Sequence, residues 1–253
     1  MQGWQSIRLT RAASCAAAIF WLGFQSGCLL GDDASAPDAS ASQPKADKRP
    51  LSKDPPGMKR LMPGYDTWID PQKKLVVMDG TVCLRQGALE MFACTKGTKE
   101  HESVVTVDTK AFAVHAGLLA VGAQVGTPAQ FRPTYKAATG DEIEITAIWT
   151  DKKGEVHRDR AQDWVRSVKT GKPLEFPWVF AGSGFWQNET GGERQYLAES
   201  GDFICISNFP SAMLDLPVES SQATEELAYE AFTDHIPPLG TRVRLVLKPK
   251  AKK

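Results

Sequence analysis

The sequence lacks the closely spaced cysteines on which metal clusters are built. It has 5 cysteines in 253 residues, and no two of them form a C-x-x-C pair. Iron–sulfur clusters and thiolate zinc sites use such pairs. An iron–sulfur cluster is therefore not expected, and any other cofactor is unknown from the sequence.

An excess of one charge is also missing. Lysine plus arginine and aspartate plus glutamate number 30 each, which gives a formal net charge of +0. Domains that bind nucleic acid carry a basic surface. A balanced chain therefore gives no reason to expect nucleic acid as a partner.

The N-terminus has the layout of a secretory signal. Arg8 and Arg11 precede an apolar run at residues 12–24, and small residues follow the run. The run is shorter than the roughly 20 residues that a membrane-spanning helix needs. A cleaved signal peptide over residues 1–27 is therefore favoured over an uncleaved anchor helix, and no other segment of the sequence is long and apolar enough to span a bilayer.

The residues before Cys28 indicate lipid attachment. Ser26 and Gly27 precede this cysteine, which resembles the bacterial lipobox, in which the cysteine is acylated and becomes the new N-terminus. Gln25 stands where that pattern has leucine, so cleavage nearby without lipid stays open. Residues 28–60 are rich in proline, alanine and serine and cannot bury a core, which predicts a disordered tether. The protein is expected to be exported and held at a membrane of the cell envelope.

The remaining residues, 61–253, are expected to form one domain of the α+β class, made mostly of antiparallel strands around one buried helix. Residues 110–126 carry apolar side chains nearly all round a helix, and a helix of that kind is buried on all sides. Gly117 and Gly122 lower its helix propensity, so a neighbouring backbone is expected to approach closely at both positions.

Strands are predicted before and after this helix. Residues 103–107 form a short strand, residues 141–151 alternate between apolar and polar side chains, and residues 240–249 form a closing strand. Two hairpins are also expected, one turning at residues 86–87 and the other at residues 201–202.

Export would place the cysteines in an oxidising compartment, where disulfides form. In the first predicted hairpin Cys83 and Cys94 lie out of alignment by roughly 13 Å along the strands, which is too far for a disulfide. A bond between these two cysteines is therefore not expected, while a bond between Cys94 and Cys205 stays open.

The stretch CTKGTKEHESVV concentrates chemically versatile side chains. In one interpretation it is a reaction centre, with Cys94, His101 and Glu102 as catalytic candidates. In a related interpretation it binds a metal through His101, Glu100 and His115. No H-E-x-x-H or similar spacing supports a ligand set. The alternative is a solvated turn before a strand, with a buried thiol at Cys94 and a core histidine at His115.

Four blocks occur in a fixed order along the chain, namely CTKGTKEHESVV, VHAGLLAVGA, WVFAGSGF and NFPSAMLDLP. In these blocks the chain resembles the YdjY-type domain of exported and lipid-anchored bacterial proteins, over roughly residues 65 to 249. The resemblance implies a single domain, and no established reaction, ligand or catalytic residue comes with it. Some members of that family carry ferredoxin-like names, which the cysteine spacing of this chain does not support.

Two functional interpretations follow. The first is a binding or structural module of the envelope that contacts an envelope protein or a cell-wall component, with Trp186 and Ser183 as binding candidates. The second is a metal- or thiol-dependent enzyme centred on the region of Cys94 and His101. The tether and the lack of a recognised catalytic spacing favour the first interpretation, and the question of an enzyme stays open.

Overall fold

The computed structural model describes residues 51–187, 191–220 and 228–250. The predicted signal peptide and the lipid-attachment site at Cys28 lie outside these residues. The fold is mostly β, with 36% strand and 11% helix. The strands are β1 (Lys59–Arg60), β2 (Thr67–Asp70), β3 (Leu75–Val82), β4 (Met91–Thr95), β5 (Ser103–Val107), β6 (Glu142–Thr150), β7 (Val156–Arg160), β8 (Val165–Ser167), β9 (Trp178–Phe180), β10 (Phe185–Trp186), β11 (Gln195–Tyr196), β12 (Ile204–Cys205), β13 (Leu214–Asp215), β14 (Tyr229–Ala231) and β15 (Arg242–Pro249). The helices of the described residues are α1 (Ala111–Ala120) and three 3-10 helices, Glu100–Glu102, Ala161–Trp164 and Leu197–Ser200.

An eight-stranded closed β-barrel forms the body of the domain. Around the ring the strands are β3, β15, β6, β9, β13, β12, β4 and β5, and β5 pairs with β3 to close it. The β4–β5 and β12–β13 pairs are parallel, and the other pairs of the ring are antiparallel. Closure gives each of these strands two neighbours, so the ring has no open edge.

Alternation along the strands separates an apolar face from a polar one. Leu245 of β15 lies between Met78 of β3 and Ala147 of β6, and all three side chains are fully buried. The next residue along, Arg244, binds the Asp79 carboxylate on the opposite face at 2.6 and 2.9 Å. A period of two residues is what a sheet with one face on the core requires.

Strand β3 contains the seam at which the barrel closes. One edge of β3 pairs with β15, and the other edge is shared, since residues 75–78 pair with β2 and residues 80–82 pair with β5. A Cβ atom at Gly80 would lie 2.8 Å from the Thr106 carbonyl oxygen and 2.8 Å from Val105 Cγ1. Glycine therefore permits the close approach of β3 and β5.

The predicted α+β class with a buried central helix is wrong, because the fold is a β-barrel with a single α-helix in the described part of the chain. Helix α1 packs on the core through one side, on which Val114 and Leu118 are fully buried. Phe112 and Leu119 on the other side are nearly half exposed. The apolar pattern of the helix predicted burial on all sides. Such a pattern shows which side chains are apolar, but it does not show whether other elements of the fold are placed to cover them.

The two glycines of the predicted helix have different roles. Gly117 is approached closely by side chains instead of the expected backbone, since a Cβ atom there would lie 2.8 Å from Leu61 Cδ1 and 3.2 Å from Val76 Cγ2. The expected approach is absent at Gly122, which has a φ of 93° and open space around a Cβ position. Gly122 therefore supplies the left-handed backbone conformation that commonly follows the end of a helix.

Both predicted hairpins are wrong. Strand β5 lies between β3 and β4, and β12 pairs with β4 and β13 instead of with β11. A turn signal fixes a local reversal, whereas closure of the barrel decides which strands pair. Cys83 and Cys94 consequently flank β5, at strand positions roughly 10 Å apart, beyond the reach of a disulfide. These two cysteines and Cys205 are free thiols.

The other strand predictions are confirmed. The strand predicted at residues 103–107 is β5, the alternating segment at residues 141–151 contains β6, and the closing strand at residues 240–249 is β15. Strand β15 pairs with β3 on one side and β6 on the other. Strong alternation and β-branched residues were sufficient to identify these segments.

Part of the segment assigned to the tether has ordered contacts. Lys59 and Arg60 form β1 and pair with β2, and Asp54 accepts a hydrogen bond from Trp68 Nε1 at 2.7 Å. Among the described residues there is no helix with the length and apolar character needed to cross a membrane.

Replacing Gly80 by Ala should lower the free energy of unfolding by about 1–3 kcal/mol, the usual cost of overpacking a tight site. The added Cβ would meet a backbone oxygen, which cannot rotate away. Gly184→Ala is the matched control, because its nearest atom, Leu197 Cδ1, lies at an ordinary 3.4 Å. Urea unfolding measures both variants, and an equal cost for the two would contradict the role of Gly80 in closure.

Candidate binding site

A groove lies between α1 and the β10–β11 hairpin, and we call it the α1 groove. Its volume is about 880 Å³. Phe112, Ala116 and Leu119 line it from α1, where their spacing places them on one side of the helix, and Phe185 lines it from β10. The exposed fractions are 46% for Phe112, 45% for Leu119 and 56% for Phe185. Large apolar side chains exposed together mark interaction sites on soluble domains.

His115 and Tyr196 are a hydrogen-bonded pair in the groove lining, which also contains the polar or charged residues Lys110, Glu193, Arg194, Gln195, Glu199 and Ser200. The Nδ1 atom of His115 lies 2.8 Å from the Tyr196 hydroxyl oxygen, and that hydroxyl donates to the Gly182 carbonyl at 3.2 Å. The imidazole also packs edge-on against Phe180, with ring centroids 4.8 Å apart. These contacts hold the imidazole in one orientation.

Burial sets the protonation of both side chains. Burial lowers the pKa of His115, and the Gly182 carbonyl opposes that shift only in part. Burial raises the pKa of Tyr196 well above its usual range. Since the ordinary pKa of histidine is about 6.5 and that of tyrosine about 10, both side chains are neutral near pH 7.

Charged side chains at the rim support the walls of the α1 groove. The Glu199 carboxylate accepts a hydrogen bond from the Phe112 N–H at 3.0 Å, which satisfies one of the free N–H groups at the start of α1. The Arg194 guanidinium lies 4.6 Å from the centroid of the Phe185 ring, at the distance of a cation–π contact. Glu199 therefore ties the start of α1 to the 3-10 helix Leu197–Ser200, which follows β11, and Arg194 packs within the hairpin.

Of the two predicted binding residues, Trp186 is 52% exposed and follows Phe185 on β10. The hydroxyl and the backbone N–H of Ser183 are both hydrogen-bonded within the protein. Its hydroxyl donates to the Ser211 carbonyl at 2.6 Å and accepts from the Ala198 N–H at 3.1 Å, and its own N–H donates to the Ala212 carbonyl at 2.8 Å. Ser183 thus fixes the loop, and its N–H is not available to an anion.

The stretch that begins at Cys94 is divided between the core and the surface. Cys94 is fully buried, and burial raises the pKa of its thiol. The side chain of His101 is 77% exposed, with Nε2 3.8 Å from Glu102 Oε2. Glu100 accepts a hydrogen bond from the Thr106 hydroxyl at 3.3 Å. The geometry here is that of a polar turn between β4 and β5.

The catalytic and metal-binding candidates are not brought together as a ligand group. Within the described ranges, one group of three His, Cys, Asp or Glu side chains has its ligand atoms within 4.8 Å of one another. Its members are Asp151, Glu155 and His157, which lie at the β6–β7 turn and were not predicted. His101 and His115 belong to no such group.

Lys99 is the centre of the polar contacts at the turn between β4 and β5, and no pattern in the sequence singled it out. Its Nζ lies 3.4 Å from Glu102 Oε1 and 4.0 Å from Glu90 Oε2. It is also 2.9 Å from Asp202 Oδ1, an ion-pair distance without hydrogen-bond geometry. Burial acts to lower the pKa of Lys99, but the carboxylates, led by Asp202, raise it. Lys99 Nζ lies 4.4 Å from the centroid of the Phe209 ring.

The block NFPSAMLDLP has a structural role around β13. Asn208 Nδ2 donates to Asp215 Oδ1 at 3.0 Å, and Asn208 Oδ1 accepts from the Tyr135 hydroxyl at 3.0 Å and from the Ser220 N–H at 2.9 Å. Asp215 is fully buried, and burial raises its pKa to about 7 against the hydrogen bond from Asn208. These contacts fix the segments that lead into and out of β13.

Two residues of the α1 groove, Phe185 and Tyr196, were not predicted. They face each other on a pair of two-residue strands, and strands this short leave no periodic signal. The signal that did exist was the line of Phe112 and Leu119 along one side of α1, which the sequence analysis assigned to the core.

Replacing Lys99 by Met should lower the free energy of unfolding by about 1–3 kcal/mol, because the surrounding carboxylates would lose their cation. Methionine retains much of the apolar stem. His101→Ala is the control, and the exposure of its side chain predicts a change within about 0.5 kcal/mol. Urea unfolding at pH 7 compares the two variants. A larger loss of unfolding free energy in His101→Ala than in Lys99→Met would show that His101, and not Lys99, stabilises the β4–β5 turn.

Comparison with known proteins agrees with the resemblance seen in the sequence. The family model of the YdjY domain matches residues 67–248, a span that includes the strands of the ring as far as Lys248 and the α1 groove. No curated protein matches the chain, and no solved structure matches it. Because the family match covers well over half of the sequence, the chain belongs to the YdjY domain family.

Proposed function

We propose that this YdjY domain is a binding module of the cell envelope, exported and held at a membrane by lipid on Cys28, and that its α1 groove binds a small molecule with an apolar body. The observation that carries the proposal is the exposure of Phe112, Leu119 and Phe185 around one groove. Removing apolar surface from water contributes about 25 cal/mol per Å². A ligand that covers these side chains is therefore stabilised by their burial.

The dimensions of the α1 groove favour a small molecule over a protein partner. Pockets for small molecules measure roughly 300–1,000 Å³, and the groove is within that range at about 880 Å³. A stable protein complex buries about 800 Å² on each partner, well above the surface that lines this groove. Helix α1 has 10 residues and spans only about 15 Å, which is short for docking a partner helix.

The N-terminal sequence supports export and lipid attachment. A basic start with Arg8 and Arg11, an apolar run at residues 12–24 and a small pair before Cys28 follow the order of a bacterial lipoprotein signal. A module tethered in this way would sample small molecules in the envelope or at the membrane surface.

The second candidate function, a thiol- or metal-dependent enzyme centred on Cys94 and His101, has no supporting contact. A catalytic thiol needs a lowered pKa, supplied by a neighbouring cation or helix N-terminus. Burial has the opposite effect on the pKa of Cys94. Among the described residues, the ion-pair contact of His101 is with Glu102 alone, so the contacts give this candidate no support.

Binding in the α1 groove is tested with N-phenyl-1-naphthylamine, a neutral apolar probe that fluoresces when it leaves water. We expect Leu119→Glu to weaken probe binding at least tenfold, because a carboxylate would be placed among the groove side chains. Val156→Glu is the matched control, since Val156 is 56% exposed on β7, outside the groove. Fluorescence titration measures both, and equal loss in the two variants would reject the groove as the binding site.

Anchoring is tested in the native host. We expect Cys28→Ser to move the protein from the membrane fraction to the soluble fraction, because the thiol that accepts the lipid is lost. Mass spectrometry of the wild-type protein should find lipid on Cys28 at the new N-terminus. An unmodified N-terminus at another residue would overturn this part of the proposal.

A further inference from the structure

The tautomer of His115 is assigned from the hydrogen bonds around it. The Tyr196 hydroxyl has one proton, and it donates that proton to the Gly182 carbonyl at 3.2 Å, a group that can only accept. The hydroxyl oxygen therefore accepts at its 2.8 Å contact with His115. In this assignment, Nδ1 of His115 carries the proton of the hydrogen bond.

The remaining ring nitrogen is then a free acceptor. Burial lowers the pKa of His115, so the imidazole is neutral near pH 7. A neutral imidazole with its proton on Nδ1 has a lone pair on Nε2. Within the described residues, the ring makes its side-chain hydrogen bond at Nδ1, and the Gly182 carbonyl is a further acceptor beside the ring. Nε2 has no side-chain partner among these residues, and the side chain of His115 lines the α1 groove.

We infer that the ligand of the α1 groove carries a hydroxyl or N–H group that donates a hydrogen bond to His115 Nε2, next to an apolar body that packs on Phe112 and Phe185. This inference rests on the proposed function and adds the chemical class of the ligand. It selects phenols, alcohols and amide or amine N–H compounds over ethers, ketones and hydrocarbons of the same shape.

The selection has a physical cause beyond the gain of one hydrogen bond. In the free protein, water can donate to Nε2. A ligand without a donor would displace that water and leave the lone pair buried without a partner, which costs more than an ordinary hydrogen bond contributes. A ligand with a donor replaces the lost water. The groove therefore discriminates against molecules that fit its shape but lack the donor.

The test uses 4-hexylphenol and 4-hexylanisole, which differ by replacement of the hydroxyl proton with a methyl group. Each competes with N-phenyl-1-naphthylamine for the full-length Cys28→Ser protein. We expect the phenol to bind about tenfold more tightly than the ether, as one well-placed hydrogen bond implies. The ether is the more apolar of the two, so a purely hydrophobic groove would give the opposite order.

Two variants test whether the preference for the phenol over the ether depends on His115 Nε2. His115→Phe keeps an aromatic ring but removes Nε2, and it should reduce the phenol-to-ether ratio to about one or below while ether binding persists. His157→Phe is the matched control, because His157 stacks on Trp149 at 4.1 Å, away from the groove. It should retain the wild-type ratio. A wild-type ratio in His115→Phe would overturn the inference.

A measurement on the wild-type protein does not depend on the folding of a variant. Long-range ¹H–¹⁵N NMR spectra distinguish a protonated from an unprotonated imidazole nitrogen. We expect Nδ1 protonated and Nε2 unprotonated in the free protein, with the Nε2 signal shifting on addition of the phenol and not of the ether. A proton on Nε2 in the free protein, or equal shifts with both compounds, would overturn the inference.

The outcomes separate this inference from the proposed function. If the phenol and the ether displace the probe equally well in the wild-type protein, the groove binds small molecules but the donor requirement is wrong. If neither the probe nor the two compounds bind to the wild-type protein, the proposed function is wrong, and the inference fails with it.

Discussion

The pairing of β5 with β3 is the contact on which the rest of the structure depends. It joins residues 80–82 to residues 105–107 through three residue pairs. So few pairs are available because β2 occupies the other half of the same edge of β3. If this pairing were lost, β3 and β5 would each present unpaired backbone groups, and the core that they enclose would open. The absence of a side chain at Gly80 is therefore a condition for the whole ring.

Closure of the barrel also determines the position of α1. Strand β5 ends at Val107 and α1 begins at Ala111, so the helix starts directly after the seam. The core is filled by large side chains such as Phe92 and Trp178, whose ring centroids are 5.4 Å apart, and it has no space for a central helix. A helix that is apolar all round therefore packs on this core through one side and exposes the other, and the α1 groove is the result.

The sequence predicted those features that a segment determines by itself. Alternation identified β6 and β15, and the apolar pattern placed a helix at residues 110–126, where α1 is found. The partners of the strands could not be predicted in this way, because a period of two residues fits any neighbour. Both hairpin predictions were wrong for that reason, and the parallel pairing of β4 with β5 was not predicted.

In the candidate site, too, the sequence identified residues by their chemistry but not by their partners. His115 was identified as a chemically capable residue, but its partner Tyr196 lies on a strand of only two residues, and only the tertiary fold brings them together. Lys99 was overlooked because one of its carboxylates, Asp202, approaches from a distant segment. A single sequence contains no direct information on such long-range pairs. The chemical type of a residue could be predicted, but its contacts could not.

A ligand is expected in the α1 groove and not at the β4–β5 turn around Lys99, because the two places differ in how many of their polar and apolar groups the protein itself already contacts. At the turn, Lys99 is already surrounded by carboxylates, and an incoming ion would have to displace contacts that the fold has made. In the groove, Phe112 and Leu119 are nearly half exposed, and the side-chain hydrogen bond of His115 is at Nδ1. A ligand there gains apolar burial and one hydrogen bond without breaking an existing contact. The Glu199 carboxylate joins the 3-10 helix Leu197–Ser200 to the start of α1. This contact holds one end of the groove in place, so less of the binding energy is spent on ordering that part of the site.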